Sequence, residues 1–253
     1  MRNQLRRPLA TISVYGINLL HRQNPYVVAW WSAAFPGFGH YLLNQYIRAT
    51  LLTIVEVIIN YLTNINIAIV YSFCGEFDMA KSVVQPRWAI GYIIIYFFII
   101  WDSYRSALVQ NKLCHLAQLE NERVAAVNLR PLEFQYIEPK KPWLAALYSF
   151  FFPGLGQLYN HQFALAFYAM MWWWIYLTLS RAHESVTLMM VGNFQESIAV
   201  LHPQWLLFMP SVVGGSTYYA YIMAREHNRL FRIEQRQFLA ERYSHSEVRL
   251  FPR

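Results

Sequence analysis

Glu56 is the residue in this sequence best placed to do chemistry inside an apolar environment. The neighbouring residues 51–55 and 57–59 are almost entirely aliphatic. A charge at the centre of a membrane-spanning helix costs at least about 2.5–3.5 kcal/mol on insertion scales. Asn60 and Asn64 follow at intervals of four residues, so that the three side chains share one helical face. The pattern predicts an intramembrane polar site at Glu56, Asn60 and Asn64 that contacts a proton, a cation or a substrate.

The same three side chains have a purely structural alternative. Polar residues in a membrane helix also hydrogen-bond to neighbouring helices and hold them together. In that case Glu56 is neutral, because burial disfavours the charged form of a carboxyl group. Both interpretations stay open at this point.

A second set of candidates surrounds two Pro-Gly-x-Gly sequences. Proline restricts the residue before it and glycine permits positive φ, so a helix is expected to break there. We call these breaks elbow 1 (residues 35–44) and elbow 2 (residues 152–161). Their polar groups either bind an anion at exposed N–H groups or satisfy the freed backbone of the elbow itself. The elbow candidates are Pro36, Gly37, Gly39, His40, Pro153, Gly154, Gly156, Gln157, Tyr159 and Asn160.

The two elbows belong to an internal repeat with a constant offset of 117 residues. Self-similarity over such a length predicts a tandem duplication. The matching pairs are Pro25 and Pro142, Ala29 and Ala146, Ser32 and Ser149, Phe35 and Phe152, Pro36 and Pro153, Gly37 and Gly154, Gly39 and Gly156, Gln45 and Gln162, Pro86 and Pro203, and Trp88 and Trp205. Trp173 takes the place of Glu56, so the second copy lacks the carboxylate.

The elements that position these residues are predicted to be helices in a membrane. Only 14% of the residues are charged, against about 25% in a typical soluble domain. Each copy begins with a short segment of about a dozen residues, which is too short to cross a bilayer, and continues with two longer apolar segments. The predicted fold is therefore an all-α membrane protein with two parallel repeats, each a short broken or re-entrant helix plus two transmembrane helices. The longer segments are 46–73, 88–105, 163–180 and 204–224.

The chain divides into five regions on this interpretation. An interfacial helix is expected near the start, within residues 8–20. The regions are a basic N-terminal arm at 1–24, a membrane repeat at 25–113, a cytoplasmic linker at 114–141, a second membrane repeat at 142–224 and a basic amphipathic cytoplasmic tail at 225–253.

The positive charges orient the predicted helices. All but three of the 21 Lys and Arg residues lie in the arm, at Arg48, in residues 103–141 or in the tail. Basic residues concentrate beside cytoplasmic membrane ends. We therefore expect the cell inner (cytoplasmic) membrane, with both termini and the linker in the cytoplasm. This placement also accounts for the net charge of +7 without a nucleic-acid partner.

The run from Ser149 to Asn160, Ser-Phe-Phe-Phe-Pro-Gly-Leu-Gly-Gln-Leu-Tyr-Asn, resembles a known membrane segment. It is similar to the small two-transmembrane-helix domain family, in which a Gly-rich turn with His or Tyr joins two helices and an Asp closes the second. Asp102 matches that Asp, whereas Tyr219 stands at its place in the second copy. Similar elements occur near the start of some sugar-uptake permeases of the ABC class. The resemblance implies a membrane hairpin module and no biochemical activity.

Catalytic signatures are absent from the sequence: it contains no phosphate-binding Gly-rich loop, no His-Glu-x-x-His and no Gly-x-Ser-x-Gly. We expect no enzyme activity, no cofactor and no metal. Asp102 is expected to pair with Arg105 or to be an ordinary interfacial charge. The first hypothesis is a non-enzymatic accessory or scaffold component that contacts the lipid bilayer and either a membrane-protein partner or a second copy of itself. The alternative is a small transporter or channel subunit that uses Glu56 and the elbows.

Overall fold

The computed structural model describes residues 8–13, 15–120, 127–129 and 134–243. It is mostly helical. The first half (residues 8–120) contains β1 Ala10–Ser13, β2 Gly16–Leu19, α1 Pro25–Ala34, α2 Phe38–Leu42, α3 Tyr46–Thr63, α4 Ile65–Phe73, α5 Phe77–Val83 and α6 Pro86–Glu120. The second half (residues 127–243) contains β3 Val127–Leu129, β4 Phe134–Tyr136, α7 Pro142–Phe151, α8 Leu155–Tyr159, α9 Phe163–Leu179, α10 Ala182–Met190, α11 Phe194–Ala199, α12 Pro203–Leu206 and α13 Phe208–Arg242.

The segment before α1 is a β-hairpin, and the expected interfacial helix near the start of the chain is wrong. Strands β1 and β2 are antiparallel, with Ala10 opposite Leu19. The β-branched residues Thr11, Ile12 and Ile17 favour strands. Gly16 adopts a φ of 131° where the chain turns back, a conformation that glycine alone reaches without strain.

The spacing of 117 residues relates the backbone of the two halves as well as their sequences. Helices α1 and α7, α2 and α8, and α3 and α9 begin 117 residues apart, and so do α4 and α10 and α5 and α11. From α1 onward, the positions with positive φ among the described residues fall into the same register. They are Gly37 and Gly154, Asn44 and His161, Asn64 and Arg181, and Gly75 and Gly192.

The final helix of each half is longer than the sequence suggested. Helix α6 passes residue 113 and ends at Glu120, and α13 passes residue 224 and ends at Arg242. At 1.5 Å per residue a helix of 35 residues is about 52 Å long, which exceeds the hydrocarbon core of a bilayer. Hairpin β1–β2 precedes α1 and lies in the predicted N-terminal arm. Hairpin β3–β4 precedes α7 and lies in the predicted linker.

Within the described ranges, two helices are long and apolar enough to cross a membrane, α3 and α6. Helices α9 and α10 make a third candidate if the pair, which is bent by 63°, is one span. The sequence predicted four crossings, and the fourth falls in α13, which is not among these candidates. Gly214, Gly215, Ser216 and Thr217 lower the hydropathy of α13 there, and Gly215 lies directly beneath the ring of Phe38.

The two halves share one core. Helix α1 packs along α6, and α7 packs along α13. The largest buried cluster combines Ile17, Leu42 and Ala107 of the first half with Tyr219 and Met223 of α13. The boundary between the halves is therefore a packed interface, and it contains the candidate site.

Candidate functional site

The candidate site begins with a polar face on α3. Tyr46, Thr50, Thr53, Glu56 and Asn60 recur every three or four residues and therefore lie on one side of the helix. The last three of them are buried. Polar residues on the buried face of an apolar helix mark ion or substrate paths in membrane proteins.

Glu56 is only half satisfied by its neighbours. It is 4% exposed, and the hydroxyl of Tyr92 on α6 donates a hydrogen bond of 2.8 Å to its Oε1. Its Oε2 accepts no well-aligned hydrogen bond from any described residue. A buried acceptor without a partner costs about 1–3 kcal/mol. The carboxyl group of Glu56 therefore has unused hydrogen-bonding capacity.

Glu56 faces an open groove of about 660 Å³ between α3, α6 and α13. The polar lining comes from Glu56, Asn60, Asn66, Tyr92, Tyr96 and Ser211. Ile93 and Phe97, which also line the groove, are exposed on the outer face of α6. The groove therefore combines an apolar rim with a polar floor.

Two residues that line the groove also hydrogen-bond to the end of α1. Tyr96 donates a hydrogen bond of 2.6 Å to the carbonyl of Ala33. Ser211 donates one of 3.3 Å to the carbonyl of Ala34. These two bonds satisfy carbonyl groups that α1 leaves free where it breaks at elbow 1.

The structure separates the three residues that the sequence grouped. Asn60 donates to Asn66 at 3.0 Å and accepts from Gln204 at 2.6 Å, which ties α3 to α4 and α12. Asn64 ends α3 with a φ of 56° and donates to the carbonyl of Val83. Asn60 and Asn64 thus hold helices together, and Glu56 is the group of the three with free hydrogen-bonding capacity in the described chain.

A second cavity of about 70 Å³ lies between the two halves, one helical turn nearer to the start of α3 than Glu56. Thr53 lines it from α3, and Tyr168, Trp172 and Tyr176 line it from α9. The Trp172 Nε1 and the Tyr176 hydroxyl are buried and have no hydrogen-bond partner in the described part of the chain. Phe35 of elbow 1 lines both this cavity and the groove, and so stands between them.

A third cavity of about 190 Å³ follows at the start of α3 and α9, and the exposed Tyr15 lies at its edge. Tyr41 and Tyr168 line both this cavity and the second one. The Tyr41 hydroxyl donates a hydrogen bond of 2.5 Å to the Tyr168 hydroxyl and lies 3.1 Å from the Thr50 Oγ1. The groove, the second cavity and the third cavity therefore follow one another along the polar face of α3.

Elbow 1 is anchored to α6 by a charged cluster. His40 Nε2 lies 3.0 Å from Asp102 Oδ2, and Arg48 donates to the same oxygen at 2.9 Å. Asp102 is neither paired with Arg105 nor an ordinary interfacial charge. It is 4% exposed, and the Arg105 guanidinium lies over the Trp101 ring instead. Pro36 and Gly37 turn the chain so that His40 points at α6, with Gly37 at a φ of 95°.

Elbow 2 is anchored by neutral hydrogen bonds. Gly154 takes a φ of 108° after Pro153. Gln157 donates to the Ser216 hydroxyl at 2.9 Å, and Asn160 donates to the carbonyl of Ala220 at 2.8 Å, both on α13. Tyr159 accepts a hydrogen bond from the backbone of Lys141.

Gly39 and Gly156 let their elbows approach the preceding helix. A Cβ on Gly39 would lie 2.3 Å from the Ser32 hydroxyl, and one on Gly156 would lie 2.3 Å from the Ser149 hydroxyl. The elbow residues therefore pack against α1, α6, α7 and α13, and Phe35, Pro36, Phe38, Tyr41 and Gln157 also line the groove or the cavities.

Sequence reasoning missed the tyrosines of the site, Tyr41, Tyr92 and Tyr168. The sequence did contain one indication that the polar face extends beyond Glu56. Thr50 and Thr53 continue the spacing of Glu56 toward the start of α3. The tyrosines lie on other helices, and only the fold brings them to this face.

The arrangement offers one carboxylate, several hydroxyls and no metal cluster. Among the described residues, no group of three or more His, Cys, Asp or Glu side chains is placed to hold a metal ion. In comparisons with protein-family models, curated proteins and solved structures, nothing matches the chain. Functional inference therefore depends on the site itself.

Proposed function

We propose that the chain is a multi-pass protein of the cell inner membrane, built from two tandem repeats and without catalysis of its own. The common register of helix starts and positive-φ positions supports the repeats. Candidate spans in α3, α6 and the bent pair α9–α10 support the membrane. Large apolar side chains such as Ile94 and Phe97 are exposed on α6, and lipid would cover them.

The two natural cysteines provide a test of this topology. Cys74 is exposed after α4, whereas Cys114 is buried in α6. If both termini are cytoplasmic, a membrane-impermeant maleimide added to intact cells labels the parent chain and not Cys74→Ser. Leu119→Cys, placed at an exposed position in the Cys74→Ser background, reacts only after the cells are permeabilised. Labelling of Leu119→Cys in intact cells would overturn the proposed topology.

The function that the geometry supports best is that of a small transporter or channel subunit. The observation that carries this proposal is the series of three cavities along α3 with the half-satisfied Glu56 among them. Sites of transporters built from repeats lie near the bilayer midplane where the repeats meet. Glu56 lies near the middle of α3, and the second cavity lies between the halves.

Flux through liposomes that contain the purified chain tests this function. Entry and exit of protons, K⁺, Na⁺ and small polar solutes are measured for the parent chain and for Glu56→Gln. We expect flux of one of these species above that of empty liposomes, and its loss in Glu56→Gln. Background flux of every species for the parent chain contradicts the transport function.

The accessory or scaffold function is the second candidate, and the end of α13 favours it. Arg225, Arg229, Arg232 and Arg236 make this part of α13 basic. A cut at Ala224 is unsuitable as a test, because it removes the buried Leu230. Replacing the exposed Arg232 and Arg236 by Gln keeps this core residue and removes positive charge from the tail. If the basic tail recruits a partner, the complex isolated with the parent chain is weakened or lost in this variant, whereas an unchanged complex counts against recruitment.

A further inference from the structure

We propose that the second cavity binds the end of a hydrocarbon chain that belongs to a lipid of the surrounding membrane. This inference rests on the proposed membrane placement and is independent of the proposed transport function. Three properties of the cavity support it: the chemistry of its lining, its volume and its position in the fold.

The lining of the second cavity is almost wholly apolar. The Thr53 Oγ1, the Trp172 Nε1 and the Tyr176 hydroxyl belong to lining residues, but neighbouring atoms cover them. Gln157 uses its amide in a hydrogen bond to Ser216 on α13. A buried water molecule needs about two to four polar partners, so a cavity with this lining stays dry. Its surface instead matches an uncharged, apolar ligand.

Aromatic rings form much of the wall of the cavity and support one another. Trp172 stacks on Tyr176 with 5.5 Å between the ring centroids, and Tyr176 stacks on Phe208 at 5.2 Å. Phe35 meets Phe208 edge to face at 5.9 Å. Surroundings packed in this way relax only partly toward an empty space, and atoms beside such a space lose their contacts on that side. A hydrocarbon restores these contacts and requires no hydrogen bond.

The volume of the cavity limits the size of the ligand. An apolar cavity of about 150 Å³ accommodates a benzene molecule. The second cavity has about 70 Å³, which in proportion holds roughly three carbon atoms. It is also not fully enclosed. A site of this kind takes the last few carbon atoms of a longer chain, and the rest of that chain lies outside.

The cavity lies beside helices that are candidates to cross the membrane. Thr53 belongs to α3, and Leu165 and Trp172 belong to α9, which forms the bent candidate span with α10. Phe167 and Trp174 are exposed on α9 close to these residues in sequence, and lipid would cover them. Acyl chains are therefore the hydrocarbon that surrounds this part of the protein.

A chain end in the cavity contacts both halves of the protein at once. Phe35 and Phe38 line the cavity from elbow 1 of the first half, whereas Leu165, Trp172 and Val212 line it from α9 and α13 of the second half. A ligand stabilises the arrangement that binds it. We therefore expect the lipid to strengthen the contact between the halves.

Quenching of tryptophan fluorescence by brominated lipids tests the proposal. The purified protein is reconstituted in phosphatidylcholine vesicles whose acyl chains carry bromine on their last carbon atoms, and in matched vesicles without bromine. Bromine quenches tryptophan only at close range, and the difference between the parent chain and Trp172→Phe isolates the signal of Trp172. We expect strong quenching of this signal, and its reduction by about half in the Ala169→Leu background, because the larger side chain fills the cavity that Ala169 lines.

Matched controls accompany the cavity variant. Trp174 is 58% exposed on α9, so its signal, isolated in the same way with Trp174→Phe, is quenched equally in the parent and Ala169→Leu backgrounds. Ala240→Leu makes the same exchange at an exposed position of α13 and keeps the parental quenching of Trp172. If Ala169→Leu does not give a single peak in size-exclusion chromatography, Val212→Leu, which fills less of the same cavity, replaces it.

A free apolar molecule of matching size, bromopropane, distinguishes between two sources of hydrocarbon. If bromopropane quenches Trp172 in a manner that depends on the cavity, and the brominated lipid does not, the assignment to a lipid chain is wrong. If both probes quench Trp172 equally in the parent and in the cavity variant, no chain enters the cavity and the proposal fails.

The outcomes also separate this proposal from those on which the article's function rests. If the brominated lipid does not quench Trp174, α9 is not in contact with the bilayer, and the membrane placement fails together with the lipid site. If Trp174 is quenched and Trp172 is not, the membrane placement stands and the lipid site alone is wrong. Neither result depends on whether any species crosses the membrane.

Discussion

His40 and Asp102 lie 62 residues apart in sequence and meet at 3.0 Å in the fold. The contact joins elbow 1 to the middle of α6, and the Arg48 guanidinium lies 2.9 Å from the same carboxylate oxygen. The positions 117 residues later are Gln157 and Tyr219, and Gln157 bonds to Ser216 instead. The first half therefore holds its elbow with charge and the second half with neutral hydrogen bonds.

Asp102→Asn is predicted to destabilise the protein. The amide keeps the shape of the carboxylate but loses the charge that stabilises Arg48 and faces His40. Because Asp102 is buried while Arg48 is half exposed, we expect a loss of about 1–3 kcal/mol. The midpoint of thermal unfolding in detergent measures it. Asp78→Asn is the control, since Asp78 is fully exposed, and an equal midpoint for both variants would contradict the prediction.

The sequence was sufficient to locate the two elbows because their geometry is local. Proline, two glycines and their spacing determine where the helix breaks, and Gly37 and Gly154 do take positive φ. The burial of Glu56 was also predictable, since its neighbours along α3 are apolar. Such features depend on residues within one or two turns.

The partners of these residues depend on distant parts of the chain. Asp102 bonds to His40 and Arg48 because α6 crosses elbow 1, and no local pattern distinguishes this from a pair with Arg105. Asn60 and Glu56 are both polar residues within the same apolar run of the sequence. Gln204 lies 144 residues from Asn60 and donates a hydrogen bond to Asn60 but not to Glu56. The β-hairpin was missed because the run of residues 8–20 is short and apolar, a pattern that strands and buried helices share.

Gly156→Ala is predicted to disrupt elbow 2. A Cβ at this position would lie 2.2 Å from the backbone oxygen of Ala145, which cannot move without shifting α7. Overpacking of this kind costs about 1–3 kcal/mol. Gly91→Ala is the matched control, because a Cβ there meets no described heavy atom within 4 Å. We expect the control to raise the unfolding midpoint slightly, since alanine favours a helix over glycine, and Gly156→Ala to lower it.

Asn111 and Asn228 are predicted to make equal contributions to stability, one in each half. Asn111 donates to the carbonyl of Gln23 at 2.8 Å and accepts from its N–H at 2.9 Å. Asn228 makes the same two bonds with Lys140 at 2.7 and 2.6 Å. Each pair holds the segment that leads into α1 or α7 against the long final helix. Replacement by Ala leaves a donor and an acceptor unpaired, and we expect a loss of about 1–3 kcal/mol for either variant.

The double variant Asn111→Ala/Asn228→Ala tests whether the two contacts stabilise the protein independently. Because the two pairs share no partner, the losses in Asn111→Ala and Asn228→Ala are expected to add within about 0.5 kcal/mol. Chemical denaturation in detergent measures all three variants. Gln195→Ala, at an exposed position within α11, is the control. A strong loss in one single variant and none in the other would show that the two contacts are not equivalent.

The stability of the C-terminal part of α13 is predicted to fall in acid because of His227. This ring is 2% exposed, and its burial lowers its pKa to about 3, with further lowering from Lys140 and His161. A histidine in an unfolded chain titrates near the ordinary histidine pKa of 6.5. Between these two pH values the unfolded chain binds the extra proton, so stability decreases as the pH falls.

We expect a loss of roughly 1 kcal/mol for each pH unit below about 6.5. His227→Gln removes this titration, and glutamine is the residue at the equivalent position of the first half, where Gln110 donates to the carbonyl of His21. Unfolding midpoints at pH 7.5 and pH 5.0 are compared for the parent, for His227→Gln and for the exposed control His183→Gln. The parent and the control lose more stability in acid than His227→Gln does, because in that variant position 227 no longer binds a proton when the chain unfolds.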